Sequence, residues 1–229
     1  MKKLGLVGGI SWVSTTDYYR YINEGINAKL GGLNYAECII YSVNFQEIHN
    51  NNLADNWEGT FLILSQACDS LQKAGAEAIL LGANTMHLLA DRVAQVIDVP
   101  LIHVAVATAE AIRAKGLKKV ALLGTKFTME RDFFKNKLEE KGIGAIIPDE
   151  EGRNYIAQKL EAELYKGIVT EETRAGFLKI IDQLIAQGAE GVILGCTEIP
   201  LLIKQEHLTI PGFDTTKIHS DAAVAFALS

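Results

Sequence analysis

The residues best suited to chemistry form a short run, Cys196-Thr197-Glu198, directly after the apolar segment Val192-Ile193-Leu194-Gly195. That segment reads as a buried strand, and Thr197-Glu198-Ile199-Pro200 as the start of a helix. A thiol there would meet N–H donors and the positive end of a helix dipole. Both predict a pKa lowered from about 8.5 toward neutrality. A thiolate so placed can take a proton from carbon and return one. The competing reading is a small buried apolar residue, the fate of most free cysteines; the polar neighbours favour chemistry. Cys38, inside Glu-Cys-Ile-Ile-Tyr-Ser, and Cys68, on the apolar face of a helix around 57–73, are expected to pack.

The elements around this run repeat. Short runs rich in Val, Ile and Leu, at 3–8, 37–43, 77–82, 100–104, 118–124, 143–147, 190–195 and 209–213, alternate with amphipathic stretches. This pattern predicts strand–helix units and parallel sheets. The first helix should run from Ser14 to Leu30, with Tyr18, Ile22, Ile26 and Leu30 on its apolar face and Gly31-Gly32 as its stop. Later helices should begin near Asn56, Thr85, Val104, Thr128, Glu151, Thr170 and Thr216. GAEAILLGANT (75–85) aligns without gaps to GAEGVILGCTE (188–198), placing residue 75 on residue 188, an offset of 113. KKLGLVGG (2–9) falls on KKVALLGT (118–125), and VPLIH (99–103) on IPGFD (210–214). Three segments in the same order imply a duplication. The expected fold is therefore α/β: two similar Rossmann-like domains with parallel four-stranded sheets related by a pseudo-twofold, the active site in the cleft between them. Residues 1–100 plus 210–229 would form the first domain and 101–209 the second. Function in such sheets gathers at the carboxyl ends of strands. Gly8-Gly9-Ile10-Ser11, Ala83-Asn84-Thr85, Thr125 and Cys196-Thr197-Glu198 mark four such ends, and the duplication sets Ala83 opposite Cys196.

Composition narrows the class. The 229 residues are 48% apolar and 22% charged with a net charge of −6, which fits a soluble globular protein and argues against a nucleic-acid surface. The N-terminal MKKLGLVGGI is too short and too broken by glycine for a signal peptide, and no apolar run approaches a membrane span. Three cysteines without a C-x-x-C pair fit a reducing compartment and neither a disulfide framework nor a zinc site, so the expected location is cytoplasmic. His87, His103, His207 and His219 are scattered without metal-ligand spacing, and no metal is expected. His87 reads as a helix-face histidine or as support for the Asn84-Thr85 turn. Gly-Leu-Val-Gly-Gly lacks the dinucleotide fingerprint.

Four motifs together, GGISWVSTTDYYRYINEGI (8–26), GANTMH (82–87), GTKFTM (124–129) and GCTEIPLL (195–202), resemble the cofactor-independent aspartate/glutamate racemases of the aspartate/glutamate/hydantoin racemase superfamily. The resemblance covers nearly the whole chain. Glu198, where glutamate racemases usually carry His, is similar to the broad-specificity or glutamate-accepting aspartate racemase branch. The resemblance implies an isomerase needing no cofactor, a small acidic amino acid (aspartate or glutamate) as substrate, and a homodimer. It implies two cysteines, one per face of the α-carbon, of which Cys196 is one. Asn84, Thr85 and Thr197 match the family positions that clamp the substrate carboxylate. Ser11, Thr125, Thr128 and Glu198 are further substrate-binding candidates, each hydroxyl also a plausible helix N-cap. Lys166, in Glu-Leu-Tyr-Lys-Gly, lies near the place of a family lysine.

Two departures stand out. Ala83 occupies the first base position, where relatives carry Cys or Thr, and a methyl group has no proton to give. Racemisation through a water or a neighbouring polar group, a single-thiol decarboxylase, an amino-acid-binding homologue without turnover, and an introduced substitution all fit that residue. The stretch 44–57, NFQEIHNNNLADNW, reads as an Asn-rich surface loop or lid, and it lacks the arginine that several aspartate racemases use on the distal carboxylate. Gln46, His49 and Asn50–Asn52 could only offer neutral donors there, weaker than a bidentate arginine.

Overall fold

The computed structural model describes residues 1–229, which divide into two compact units: Met1–Val104 with His219–Ser229, and Ala105–Ile218. In the first unit, strand β1 (Leu4–Gly8) leads to α1 (Trp12–Leu30), β2 (Cys38–Ser42), α2 (Phe45–Leu53), α3 (Trp57–Lys73) and β3 (Ala78–Leu81). A short 3-10 helix, Asn84–Leu89, then precedes α4 (Ala90–Ala94), β4 (Leu101–Ile102) and α5 (Val104–Ala114), which enters the second unit. There follow β5 (Lys119–Gly124), α6 (Lys126–Glu130), α7 (Asp132–Glu139), β6 (Gly144–Ile146) and α8 (Glu150–Ala162). The 3-10 turn Leu164–Lys166, α9 (Glu171–Ala186), β7 (Val192–Gly195), α10 (Ile199–Leu202), the 3-10 turn Gln205–His207, β8 (Gly212–Asp214) and α11 (Thr215–Ala227) complete the chain.

Each sheet has four parallel strands. The orders are β2-β1-β3-β4 and β6-β5-β7-β8, the same arrangement twice. The duplication extends to register: Gly5 pairs with Ile79 in the first sheet, and their repeat equivalents Ala121 and Val192 pair in the second. Strand β8 pairs with β7, Ile193 facing Phe213, so residues 210–218 belong to the second unit and not the first as expected. The reason lies in the repeat itself. The strand following β7 completes the open edge of that strand as β4 completes β3.

Strand alternation sends Leu4 and Leu6 to one face of the first sheet and Val7 to the other. Tyr18, Ile22 and Ile26 of α1 cover the first face together with Ala223, Val224 and Ala227 of α11. Burial of each large side chain contributes about 1.5–3 kcal/mol. Leu30 does not join them; it is half-exposed at the end of the helix. Leu64, Ala67, Cys68 and Leu71 of α3 cover the other face. Burial pushes the Cys68 thiol up to about 12 and raises Cys38 as well, in keeping with packing roles. In the second unit, Ile156 and Leu160 of α8 and Phe177, Ile181 and Leu184 of α9 pack on Ala121, Leu123, Val192 and Leu194.

Residues 45–53 are helical and not a loop. Asn44 caps α2 by accepting from the Gln46 N–H, and Ile48 anchors the helix in the core. The asparagines are used internally: Gln46 donates to Asn50 at 2.8 Å, Asn56 to Asn51 at 3.0 Å, and Thr60 to Asn52 at 3.0 Å. They tie α2 to the start of α3.

Candidate active site

Glycine brings the two strand ends close to their neighbours. A Cβ on Gly82 would stand 2.8 Å from the Val7 carbonyl oxygen, and one on Gly195 would stand 2.5 Å from that of Leu123. Both are under any real contact distance, so each strand must end in glycine for the next residue to reach the sheet's carboxyl edge.

After Gly195 the chain turns sharply and buries Cys196, Thr197 and Glu198, all under a tenth exposed. The Cys196 Sγ donates to Glu198 Oε2 at 3.1 Å, and the Thr197 hydroxyl donates to the same oxygen at 2.7 Å. Tyr165, on the turn Leu164–Lys166, packs against the apolar cluster containing Cys196. Helix α10 has only four residues, so its dipole is slight. Burial first, and the Glu198 charge second, push the Cys196 thiol well above its ordinary value. The expected lowering is thus reversed. Burial also pushes Tyr165 upward, aided by Cys196, Glu198 and Glu161, which keeps its phenol protonated. The turn's neighbours brace it. Arg174 on α9 donates to the Leu202 carbonyl at 2.9 Å, and Glu163 accepts from Lys159 at 2.5 Å and from Thr173. Lys166 is exposed. Sequence reasoning singled out Lys166 and not Tyr165, whose packing no spacing rule distinguishes from that of any core aromatic.

The corresponding end of β3 is built otherwise. Ala83 is 8% exposed and extended, followed by buried Asn84 and Thr85 in the 3-10 helix. His87 Nδ1 lies 3.1 Å from the Ala83 carbonyl, and its Nε2 accepts from the Val104 N–H at 3.3 Å. A carbonyl can only accept, so Nδ1 carries the hydrogen and the ring is neutral. Burial and neighbouring His103 hold His87 well below the usual histidine range. The histidines expected to be scattered converge: the His87 ring centroid is 4.7 Å from that of His103 and 5.5 Å from that of His219. His219 donates through Nε2 to the Ile102 carbonyl at 2.7 Å and accepts the Tyr18 hydroxyl at Nδ1, 2.9 Å away. Its pKa is lowered to about 3 by burial and by His87. With all four nitrogens of His87 and His219 in these bonds, the cluster fastens the turn after β3 to β4 and α1. It is not arranged to hold a metal.

The remaining candidates sit at the other strand ends. Buried Ser11 is the N-cap of α1, and its carbonyl accepts from the Ser14 and Thr15 hydroxyls. Thr125 caps α6 by accepting from the Thr128 N–H at 3.2 Å, and the two hydroxyls also lie 3.2 Å apart. Helix α6 therefore starts at Lys126, with Thr128 buried inside it and not at its beginning.

Two parallel four-stranded sheets of identical order, one ending in a buried Cys-Thr-Glu turn, define a duplicated α/β protein of the racemase type. The chain belongs to the Asp/Glu/hydantoin racemase family, whose sequence profile matches residues 7–223. The broad specificity amino-acid racemase RacX of Bacillus subtilis (strain 168) is 23% identical over 229 residues, 99% of this chain and 98% of that protein. Among solved structures, a Yersinia pestis protein assigned provisionally as an Asp/Glu racemase superposes with a TM-score of 0.94 at 45% identity, covering 100% of both chains. An aspartate racemase homologue from Pyrococcus horikoshii OT3 gives 0.88 at 39% identity, again over 100% of both. The Picrophilus torridus aspartate racemase shares the fold, with a TM-score of 0.83 at 20% identity over 99% of this chain and 94% of that one.

Proposed function

We propose that this protein is a cofactor-independent isomerase of small acidic amino acids, aspartate or glutamate, in which Cys196 moves the α-proton on one face of the substrate. The observation that carries this reading is the thiol after β7 bonded to a buried carboxylate 3.1 Å away. Glu198 is the acceptor for the Cys196 proton. A thiol whose pKa is raised by burial is scarce as thiolate but a stronger base once formed, which suits a weakly acidic α-carbon. Asn84, Thr85 and Thr197, with backbone N–H groups at their turns, are the proposed carboxylate donors that stabilise the developing carbanion. Ser11, Thr125 and Thr128 orient neighbouring backbone. The enzyme is proposed to work in the cytoplasm as a homodimer, an assembly that sedimentation velocity would test.

Ala83 favours a second reading. Loss of CO₂ from a malonate-type acid leaves a carbanion that needs a single proton donor, and Cys196 alone could serve it. The two are separated in heavy water. Incubation with L- and D-aspartate and glutamate, followed by chiral chromatography and mass spectrometry, should show deuterium entering the α-position only when Cys196 is present. Absence of exchange with all four amino acids would overturn the isomerase. Cys196-dependent CO₂ release from malonate-type acids would then establish the second reading.

A further inference from the structure

We propose that His87 is a positioning residue for the substrate carboxylate: by holding the Ala83 carbonyl it fixes the plane of the Ala83–Asn84 peptide and aims the Asn84 N–H at that carboxylate. The inference rests on the reading of the Asn84-Thr85 turn as the carboxylate clamp. Proton transfer at Cys196 makes no use of this buried side chain, yet both of its ring nitrogens are committed. Nδ1 donates to the Ala83 carbonyl at 3.1 Å, and Nε2 accepts from the Val104 N–H at 3.3 Å. A main-chain N–H can only donate, so Nε2 keeps its lone pair and the hydrogen sits on Nδ1. The ring is held in place by its neighbours. It stands 4.7 Å from the His103 ring and 5.5 Å from that of His219, which is itself bonded to the Ile102 carbonyl and the Tyr18 hydroxyl.

Peptide geometry carries the effect outward. The Ala83–Asn84 bond is trans, so its N–H points opposite to its C=O. With the carbonyl turned to His87, the Asn84 N–H is turned away from the histidines. A hydrogen bond on the carbonyl also polarises the peptide and makes its N–H a better donor. The turn after β7 provides the comparison. Continuing the gapless alignment by two residues sets His87 on Pro200, which has no N–H and no side-chain donor. There the Cys196 carbonyl, the equivalent of that of Ala83, accepts from the Ile199 N–H at 3.1 Å. The fold closes that turn without a side-chain donor, so packing of the turn does not by itself require a histidine at position 87.

Two substitutions separate aim from packing. His87→Leu removes the donor to Ala83. His87→Asn restores one, since an asparagine reaches the carbonyl four residues back, as Asn23 does to Tyr19 at 2.7 Å. Both variants leave the Val104 N–H without its acceptor, so both should be destabilised in urea. In α-proton exchange with aspartate or glutamate, His87→Leu should raise KM about tenfold with kcat changed no more than about threefold, because the carboxylate is bound before the Cα–H bond breaks. His87→Asn should recover most of that loss. Calorimetric Kd values for L- and D-aspartate and glutamate should follow the same order, independently of turnover. By NMR, the Asn84 amide proton should move downfield on ligand addition in the parent and in His87→Asn, and not in His87→Leu. Equal KM, Kd and amide shifts in the two variants overturn the assignment. So does an Asn84 amide unmoved by saturating ligand in the parent, whether or not the leucine variant folds. If Kd and the amide respond as stated but no amino acid exchanges, His87 keeps its role and the isomerase reading falls. If exchange occurs and the two variants behave alike, the reverse holds. If none of the four amino acids binds or exchanges, both fall.

Discussion

The ends of β3 and β7 are the same piece of backbone furnished in two ways. Each closes a buried parallel strand with a glycine that a methyl group would drive into the neighbouring carbonyl. Each continues into a buried turn. Beyond Gly195 come a thiol and a hydroxyl that both donate to one buried carboxylate oxygen. Beyond Gly82 comes a methyl group whose carbonyl is held by a neutral histidine. Packing dictates the glycine and the turn, since both are needed wherever strands approach this closely. The side chains after the glycine differ between the two ends while the frame is the same.

The difference is most sharply broken by removing the thiol. Cys196→Ala should lower α-proton exchange by about 10²–10⁴-fold, the usual weight of one positioned acid–base group, with the far-ultraviolet circular dichroism unchanged. A residual rate equal to that of the parent would place the chemistry elsewhere. Next in size is the attempt to make the ends alike. Ala83→Cys should raise the ratio of enantiomer interconversion to exchange by about 10²-fold, measured by chiral chromatography in heavy water. No gain would mean that the first turn has lost more than a sulfur.

The backbone similarity can be tested apart from the chemistry. Gly82→Ala and Gly195→Ala should each cost about 1–3 kcal/mol in urea unfolding, because the new Cβ displaces a carbonyl on a neighbouring strand. Unequal costs, with one near zero, would show that the two frames differ. The smallest effect concerns the histidines behind β3. His87 and His219 are neutral in the folded protein with pKa values below the ordinary 6.5, so the unfolded chain binds more protons as pH falls. Their stabilisation is complete above that value and is lost on acidification toward the folded pKa, about 3 for His219. Between about pH 6.5 and 5, before carboxylates contribute, stability should fall with a slope that steepens toward about 1.4 kcal/mol per pH unit from His219, with His87 acting in the same direction. A flat profile there, or one unaltered by His219→Asn, would contradict the assigned tautomers.

The strands, their pairing and the place of Cys196 at a strand end were legible because each follows from local pattern: Ala-Ile-Leu-Leu and Val-Ile-Leu-Gly are recognisably the same buried strand, and the offset between them carries the register. Other features depend on residues far apart in the chain. His87, His103 and His219 meet only when β4 and α11 are in place, and nothing in their spacing announces it. The direction of the Cys196 shift was unreadable for a related reason. A short helix and a neighbouring polar residue suggest lowering, while the deep burial that reverses it is a property of the whole unit. Helix α2 was hidden by its asparagines, which are poor helix formers until Asn51 and Asn52 find Asn56 and Thr60. Tyr165 was overshadowed by the charged Lys166 beside it.

The division of the chain also sets an order of assembly. Residues 105–218 are continuous, so the second unit has its whole core, Cys196 included, before synthesis ends. The first unit does not. Ala223, Val224 and Ala227 close the face of its sheet against Tyr18, Ile22 and Ile26, and the Lys2 N–H reaches the Ala227 carbonyl at 2.9 Å. Until residues 219–229 have been made, the apolar flank of β1 and β3 is covered by α1 alone. The unit translated first is the one completed last, and the nascent chain must keep that flank from sticking to its surroundings while the thiol-bearing half is already folded.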